Sequence, residues 1–186
     1  MALKSTVYKA ELQLADIDHQ HYETLNLTLA RHPSETDERM FVRLIALALN
    51  AWQVQALCAG DARLGFGAGL SDPDEPDAQL TDFTGRTRLW LQVGQPEERA
   101  IARAAARADA VAIYAYGAAA DVWWCGLQNK VARLRNLAVW RLPAADTQAL
   151  AALVERSMQL QATVLDGVLT LSSDKGSVSL EPQRWQ

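Results

Sequence analysis

The sequence predicts an α/β domain with a mixed central sheet flanked by helices, and three observations lead to this class. Two strand-like runs, over 87–93 and 110–116, enclose a helical segment and so form a right-handed βαβ unit. An N-cap pattern precedes an apolar segment of helical spacing near residue 35. Alternating segments at both ends of the chain indicate β-hairpins. The 186 residues suit a single domain over 1–186.

The first half of the chain is predicted to hold a hairpin, a long helix and an irregular stretch. Alternation over 7–14 and a shared face of Leu25, Leu27 and Leu29 indicate the two strands of the hairpin. Ser34-Glu35-Thr36-Asp37 can accept bonds from free backbone N–H groups, so a helix is expected over 35–51. The Gly-, Pro- and Asp-rich stretch that follows is expected to be irregular, with short strands over 64–66 and 78–80.

The second half is predicted to continue the sheet and to end in a second hairpin. Pro96 suits the first position of the helix after strand 87–93, because its missing N–H would have no partner there. The run 110–116 is apolar almost throughout, as in a strand covered on both faces. Asp166-Gly167 between alternating segments indicates a tight hairpin. The other predicted elements are helices over 119–133 and 147–157 and strands over 137–142, 160–165, 168–171 and 178–180.

Composition excludes several classes of protein. The formal net charge is −4, so the overall charge does not indicate binding to nucleic acid or to an anionic membrane, although a local basic patch could still bind either. Cys58 and Cys125, without a CxxC pair, argue against a disulfide framework or a zinc ribbon. The start lacks a secretion signal and no apolar run is long enough to span a bilayer, so a cytoplasmic protein is expected. A monomer is expected because no coiled-coil seam is evident.

Three oxygen-bearing side chains form the candidate site. Glu38 lies at the start of the apolar stripe of the first helix, Asp77 precedes strand 87–93 by a loop, and Gln92 lies within that strand. Mg²⁺, or alternatively Mn²⁺, takes oxygen ligands and often only one or two protein carboxylates. Convergence of these residues would hold such an ion, which acidifies an attacking water and neutralises phosphate charge.

Several segments, spread over the whole length, resemble the YaeQ family. They are Met1-Ala2-Leu3-Lys4, the run from Leu29 to Met40, Asp74-Glu75-Pro76-Asp77, Trp123-Trp124, and the tail from Leu160 to Val168. The resemblance implies a variant of the PD-(D/E)XK magnesium-dependent nuclease fold. Its restriction-endonuclease-like core would cover about 34–142, and the terminal hairpins would be additions to that core.

The resemblance also implies roles for individual residues and nucleic acid as the partner. Glu38 would be the helix acid, Asp77 the motif aspartate, and Gln92 would replace the second motif acid. Gly94 stands where the family pattern has lysine, so the cation is expected from Arg103, with Arg99 second. A glutamine offers one neutral oxygen, and an arginine is a poor general base, so two departures from the nuclease pattern weaken the implied catalysis.

Each of these residues has a second, purely structural interpretation. Glu38 can instead pair with Arg31 or Arg39, and Gln92 can bond a neighbouring strand. The arginines of both helices are expected on exposed helix faces: Arg39, Arg43, Arg99, Arg103 and Arg107. The remaining acids of the loop, from Asp72 to Asp82, are expected to be solvated. Three functions therefore stand: a metal-dependent nuclease, a non-catalytic nuclease fold that binds nucleic acid or protein, and an interaction protein.

Overall fold

The computed structural model describes residues 5–67 and 74–186, so the predicted loop positions 68–73, including Asp72, and the first four residues lie outside it. Its helices are α1 (Asp37–Ala48), α2 (Gln53–Cys58), α3 (Glu98–Arg107), α4 (Ala120–Val131) and α5 (Ala144–Ala151). Its strands are β1 (Thr6–Asp16), β2 (His21–Arg31), β3 (Ala62–Phe66), β4 (Ala78–Asp82), β5 (Thr87–Val93), β6 (Ala110–Ala115), β7 (Leu137–Arg141), β8 (Ser157–Leu165), β9 (Val168–Ser173), β10 (Gly176–Leu180) and β11 (Gln183–Arg184).

The two terminal hairpins form one five-stranded sheet, in the order β10-β9-β8-β1-β2. β1 and β8 run parallel, from Lys9 opposite Ser157 to Asp16 opposite Val164. The other neighbours are antiparallel. The predicted hairpins at both ends of the chain are present, but instead of a single central sheet the structure has a second sheet that they form together. Each hairpin has one apolar face and a free edge, and joining the edges buries both faces together.

The second sheet has six strands in the order β11-β7-β6-β5-β4-β3. β5, β6 and β7 are parallel, and α3 and α4 connect them, which confirms the predicted βαβ unit. β4 pairs antiparallel with β5 and also with β3. The chain is thus mixed α/β, but with two mixed sheets.

Helix α1 lies between the two sheets. All nine residues from Met40 to Ala48 are buried, and they share one core with the inner faces of both sheets and with α5. A helix that is covered on all sides is normally apolar all round. The buried segment of α1, from Met40 to Ala48, is apolar except for Arg43, which is 1% exposed.

Helices α3 and α4 cover the opposite face of the six-stranded sheet. There Trp90, Val111 and Ile113 from the strands pack against Ile101 of α3 and Trp124 of α4 in a second core. The molecule therefore has four layers: five-stranded sheet, α1 with α5, six-stranded sheet, and α3 with α4. Within the described residues, no helix combines the length and the apolar character that crossing a membrane requires.

Several predicted helix limits were wrong, each for a local reason. α3 begins at Glu98 rather than Pro96, because Glu97 is the extended N-cap residue. The helix expected over 147–157 begins and ends earlier, at Ala144 and Ala151. Strict alternation of buried and exposed residues from Ser157 onward belongs to β8 instead. The short β11 was not predicted.

Candidate acid–arginine site

The start of α1 arranges the charged residues of the candidate site. Thr36 is the N-cap, and its hydroxyl oxygen accepts a bond from the Arg39 backbone N–H at 3.1 Å. The cap fixes the first turn, so that Glu35, Glu38 and Arg39 all stand at the end of α1 that faces the start of β4. Asp77 lies directly before β4.

Asp77 is buried, and both of its carboxylate oxygens are engaged. Oδ2 accepts a bond from the Val93 backbone N–H at 2.8 Å, which ties Asp77 to the end of β5. Oδ1 accepts a bond from Nη2 of Arg39 at 2.6 Å. The side chain is only 2% exposed, so these two donors provide the hydrogen bonds that water would make to an exposed carboxylate.

Glu35 is the second buried carboxylate of the cluster. Its Oε1 accepts a bond from Nη1 of Arg39 at 2.7 Å, and its Oε2 accepts one from Nη1 of Arg43 at 3.0 Å. Arg39 therefore bridges Glu35 and Asp77 through its two terminal nitrogens. We call Glu35, Glu38, Arg39, Arg43 and Asp77 the acid–arginine cluster.

The prediction that Arg39 and Arg43 lie on an exposed helix face was wrong. Arg39 is 14% exposed and Arg43 is 1% exposed. Nε of Arg43 lies 3.9 Å from Oδ1 of Asp77, and its guanidinium stands 5.4 Å from the centre of the Phe66 ring. Two buried cations thus offset two buried anions, which is the condition for charges to remain ionised in a protein interior.

Burial opposes the positive charge of Arg39, but the carboxylates of Asp77 and Glu35 outweigh this effect and raise the pKa of Arg39 above its ordinary value. The guanidinium is therefore a permanent cation at this position. Because Arg39 cannot give up its proton, Asp77 always has a positive charge beside it.

Glu38 is held by α5. Its Oε1 accepts a bond from the Thr147 hydroxyl at 2.7 Å, and Thr147 is fully buried. Neither of the predicted arginine partners bonds Glu38: Arg31 pairs with Asp37 at 2.8 Å, and Arg39 pairs with Glu35 and Asp77.

Tyr116, directly after β6, completes the neighbourhood. Burial raises the pKa of its phenol to about 12, with Arg39 acting against this and Glu38, Asp77 and Glu35 adding to it. Glu38 precedes Arg39 directly in the chain, and Arg39 bonds both Glu35 and Asp77, so these four charges stand at the same end of α1. Tyr116 stays protonated there at neutral pH and offers an O–H donor.

Gln92 does not join Glu38 and Asp77. Its Oε1 accepts a bond from Nε1 of Trp90 at 3.0 Å, and its side chain lines a small gap under α3 with Ile101 and Val111. Strand alternation puts Gln92 on the α3 side of the sheet, whereas Leu91 and Val93 face α1. The structural interpretation expected Gln92 to bond a neighbouring strand, whereas its partner Trp90 lies on the same strand, β5.

Arg103 also lies away from the cluster. It is half-exposed on the outer layer of the molecule and pairs with Asp74 at 2.8 Å. Arg99 and Arg107 are exposed on the same helix. The structure therefore brings Glu38 and Asp77 into one neighbourhood but leaves Gln92 and Arg103 on the other side of the six-stranded sheet.

The cluster does not fit a divalent cation as it is arranged. Mg²⁺ needs several oxygens that face one point. Both oxygens of Asp77 accept bonds from N–H groups, and the guanidinium of Arg39 stands beside Oδ1. Over residues 5–67 and 74–186, no three His, Cys, Asp or Glu side chains are grouped so as to hold a metal ion.

Sequence reasoning missed Glu35, Arg43 and Tyr116, and it misplaced Arg39. One signal was present: Arg39 and Arg43 follow Glu35 at intervals of four residues, and Arg43 interrupts the apolar run from Met40 to Ala48. Charges at this spacing on a helix meet on one face. An arginine inside an otherwise continuous apolar run indicates a buried ion pair.

Comparison with known proteins gives a consistent result. A sequence profile of the family described as "YaeQ protein" matches residues 1–182. A relative from Escherichia coli K12, "Uncharacterized protein YaeQ", is 42% identical over 187 residues, which cover 100% of this chain and 98% of the relative.

Two solved structures extend the similarity to three dimensions. The crystal structure of the YaeQ protein from Xanthomonas axonopodis pv. citri is 43% identical, with a TM-score of 0.89 over 98% of both chains. That of the YaeQ protein from Pseudomonas syringae is 32% identical, with a TM-score of 0.87 over 98% of this chain and 96% of the other. The similarity covers nearly the whole length of the chain, and the chain belongs to the YaeQ family.

Proposed function

We propose that the chain is a nuclease-like fold in which arginine has replaced the metal, and that it binds nucleic acid without cleaving it. The contact that carries this proposal is the bridge of Arg39 between Glu35 and Asp77, at 2.7 and 2.6 Å. A guanidinium in this position satisfies the carboxylates permanently. It supplies no exchangeable water, and so no nucleophile for phosphodiester hydrolysis.

The outer α3–α4 layer is the surface proposed for nucleic acid. Between residues 97 and 135 the chain has six Lys or Arg against four Asp or Glu, although the whole chain carries a net charge of −4. Arg99, Arg103 and Arg107 project from successive turns of α3 and are exposed. Such a row can follow a phosphate backbone, and each phosphate contact makes binding more dependent on salt.

The competing function is Mg²⁺- or Mn²⁺-dependent hydrolysis of nucleic acid, as the resemblance to PD-(D/E)XK nucleases implies. One observation favours it: Arg39 joins Glu35 to Asp77, and Glu38 lies beside Arg39 in the first turn, so three carboxylates stand at the same end of α1. A metal would have to displace Arg39 from Asp77, and Gln92 and Arg103 would have to act from the far side of the sheet.

Fluorescence anisotropy with labelled single-stranded DNA and RNA over a series of salt concentrations tests the proposed binding. The double variant Arg99→Glu and Arg103→Glu is expected to weaken binding at least tenfold and to flatten the slope of log K against log salt by about 1.4, or ~0.7 per lost single-strand contact. The matched control, Lys9→Glu with Lys175→Glu, changes net charge equally on the other sheet and should bind better than the α3 variant. Equal losses in both would overturn the proposed surface.

A cleavage assay separates the two candidate functions. In Mg²⁺ or Mn²⁺ we expect the unmodified protein to cleave DNA or RNA no more than Glu38→Gln does. This substitution preserves the oxygen bonded to Thr147. Metal-dependent cleavage that is lost in both Glu38→Gln and Asp77→Ala would contradict the proposal and establish the nuclease.

A further inference from the structure

A second candidate site lies at the other end of α1. A cleft of about 550 Å³ opens between the inner face of β6 and β7 and the turns at the ends of β1 and β8. Its floor is made of small side chains, Ala110, Ala112 and Ala138, which leave the space open. The volume lies in the range of small-ligand sites, about 300–1,000 Å³.

The cleft has flat aromatic walls. Trp140 is half-buried on β7, and the guanidinium of Arg184 stands 5.6 Å from the centre of its ring. Across the lining, Trp52 stacks on His19 with ring centres 4.0 Å apart and planes only 3° from parallel. Rings held in this way are fixed surfaces for stacking a planar group.

A hydrogen-bond donor lies at the inner end. Tyr114 is 4% exposed, and its hydroxyl oxygen accepts a bond from Nδ2 of Asn50 at 2.8 Å. Asn50 is itself fixed by Ala46 and Gln53. Burial raises the pKa of Tyr114 to about 12, so the phenol keeps its hydrogen. In the part of the chain that the structure describes, no acceptor takes that hydrogen.

The mouth of the cleft is positively charged. Arg135 and Arg184 line it and are exposed, and within the described ranges neither pairs with an Asp or Glu side chain. Nε of Arg184 donates a bond to the backbone oxygen of Gln186 at 3.0 Å. The carboxylate of Asp18, also on the lining, already accepts the backbone N–H groups of Asp166 and Gly167 at 2.8 Å. An anion at the mouth would therefore meet two available guanidinium groups.

We propose that this cleft binds a mononucleotide, with the base against the tryptophan walls, a ring acceptor on the Tyr114 hydroxyl, and the phosphate on Arg135 and Arg184. The site is distinct from the acid–arginine cluster: Glu38 lies in the first turn of α1 and Asn50 just after its end, about 18 Å away at ~1.5 Å per residue. The proposal stands whether or not the cluster or the α3 surface acts on nucleic acid.

Calorimetric titration with adenosine 5′-monophosphate, adenosine and ribose 5-phosphate tests which chemistry the cleft selects. The monophosphate is expected to bind at least tenfold more tightly than either fragment. Arg135→Ala with Arg184→Ala should reduce binding of the monophosphate to that of adenosine, and Tyr114→Phe should weaken it threefold to tenfold. Uridine 5′-monophosphate serves as a second probe, because a smaller base uses the same walls.

A substitution that fills the floor of the cleft is a more direct test of the proposed site. Ala138→Leu should abolish binding of adenosine 5′-monophosphate with an unchanged circular dichroism spectrum, while Ala138→Ser, nearly equal in size, should retain it. Glu38→Gln should bind as the unmodified protein does. The proposal is overturned if neither monophosphate gives saturable binding, or if folded Ala138→Leu binds as tightly as Ala138→Ser.

Discussion

Arg39 determines how the neighbouring carboxylates behave. A divalent cation would bind and leave according to its concentration, whereas a guanidinium attached to α1 is present in every folded molecule. Its two terminal nitrogens reach Glu35 and Asp77, and its charge cannot be titrated away in the usable pH range. The cluster therefore ties the start of α1 to β4 and β5 as a structural joint.

Removal of Asp77 should reveal that role. Asp77→Ala leaves the charge of Arg39 partly unbalanced and the Val93 N–H without its acceptor, so we expect a loss of about 3 kcal/mol or more in the free energy of unfolding. Urea denaturation followed by circular dichroism measures it. Asp74→Ala, which removes the half-exposed partner of Arg103, is the control and should cost less than about 1 kcal/mol. Equal losses in the two variants would show that the buried Arg39–Asp77 pair contributes no more to the free energy of unfolding than the exposed Arg103–Asp74 pair does.

At the scale of elements, β1 is the strand that joins the two terminal hairpins into one five-stranded sheet. It pairs with β2 on one side and with β8 on the other, so both terminal hairpins depend on it. Tyr8, Ala10, Leu12 and Leu14 alternate inward along β1 and enter the main core. A cavity under β1 is therefore expected to weaken both hairpins together.

Leu12→Ala tests this dependence. Leu12 is fully buried, so its truncation should cost about 2–5 kcal/mol through lost burial and the cavity left behind. Gln13→Ala, one position along on the exposed face, should change stability by less than about 0.5 kcal/mol. Hydrogen exchange should speed up in β8 as well as in β2 of the Leu12 variant; protection lost only in β2 would contradict the shared sheet.

Local patterns were sufficient for most elements but not for their partners. The runs that became β5 and β6, with a helix between them, were predicted because apolar composition and Pro96 act locally. The alternation of apolar residues in β1 and β8 predicts which side chains face inward, but it does not predict which strands are neighbours in the sheet. The parallel pairing of the two hairpins depends on packing across the whole molecule, so the sequence pattern left it open.

At the scale of the whole molecule, one buried phenol and one half-buried phenol make stability depend on alkaline pH. Tyr114 and Tyr116 lie two positions apart at the end of β6, and burial raises both pKa values from 10.0 to about 12. The folded protein therefore holds these protons at pH values where the unfolded chain has released them. Stability is fully present below about pH 10 and is lost as the pH rises through about 12.

Urea unfolding at several pH values between 8 and 12 checks this dependence. We expect little change up to pH 9 from these groups and a loss on the order of 2–3 kcal/mol from Tyr114 by pH 12, with less from the half-buried Tyr116. Tyr114→Phe should remove most of the Tyr114 contribution. A curve of the same slope in the variant would exclude Tyr114 as its source.

The candidate site was predictable only in part, for reasons that operate at this scale. That Glu38 and Asp77 stand at the same end of α1 could be expected, because their types and their places before apolar runs are visible in the sequence. Gln92 was expected beside them, but strand alternation turns its side chain toward α3, and only the positions of the layers decide which face meets α1. The burial of Arg43 likewise follows from the second sheet, which closes over α1.

The bond between Asp18 and Gly167 joins positions 149 residues apart, beside the parallel seam of β1 and β8. β1 is synthesised long before β8, so the inner edge of the first hairpin remains unpaired until β8 has been made. Closure of so long a loop is slow. The seam between β1 and β8 is therefore expected to form late in folding, after each hairpin has formed by itself.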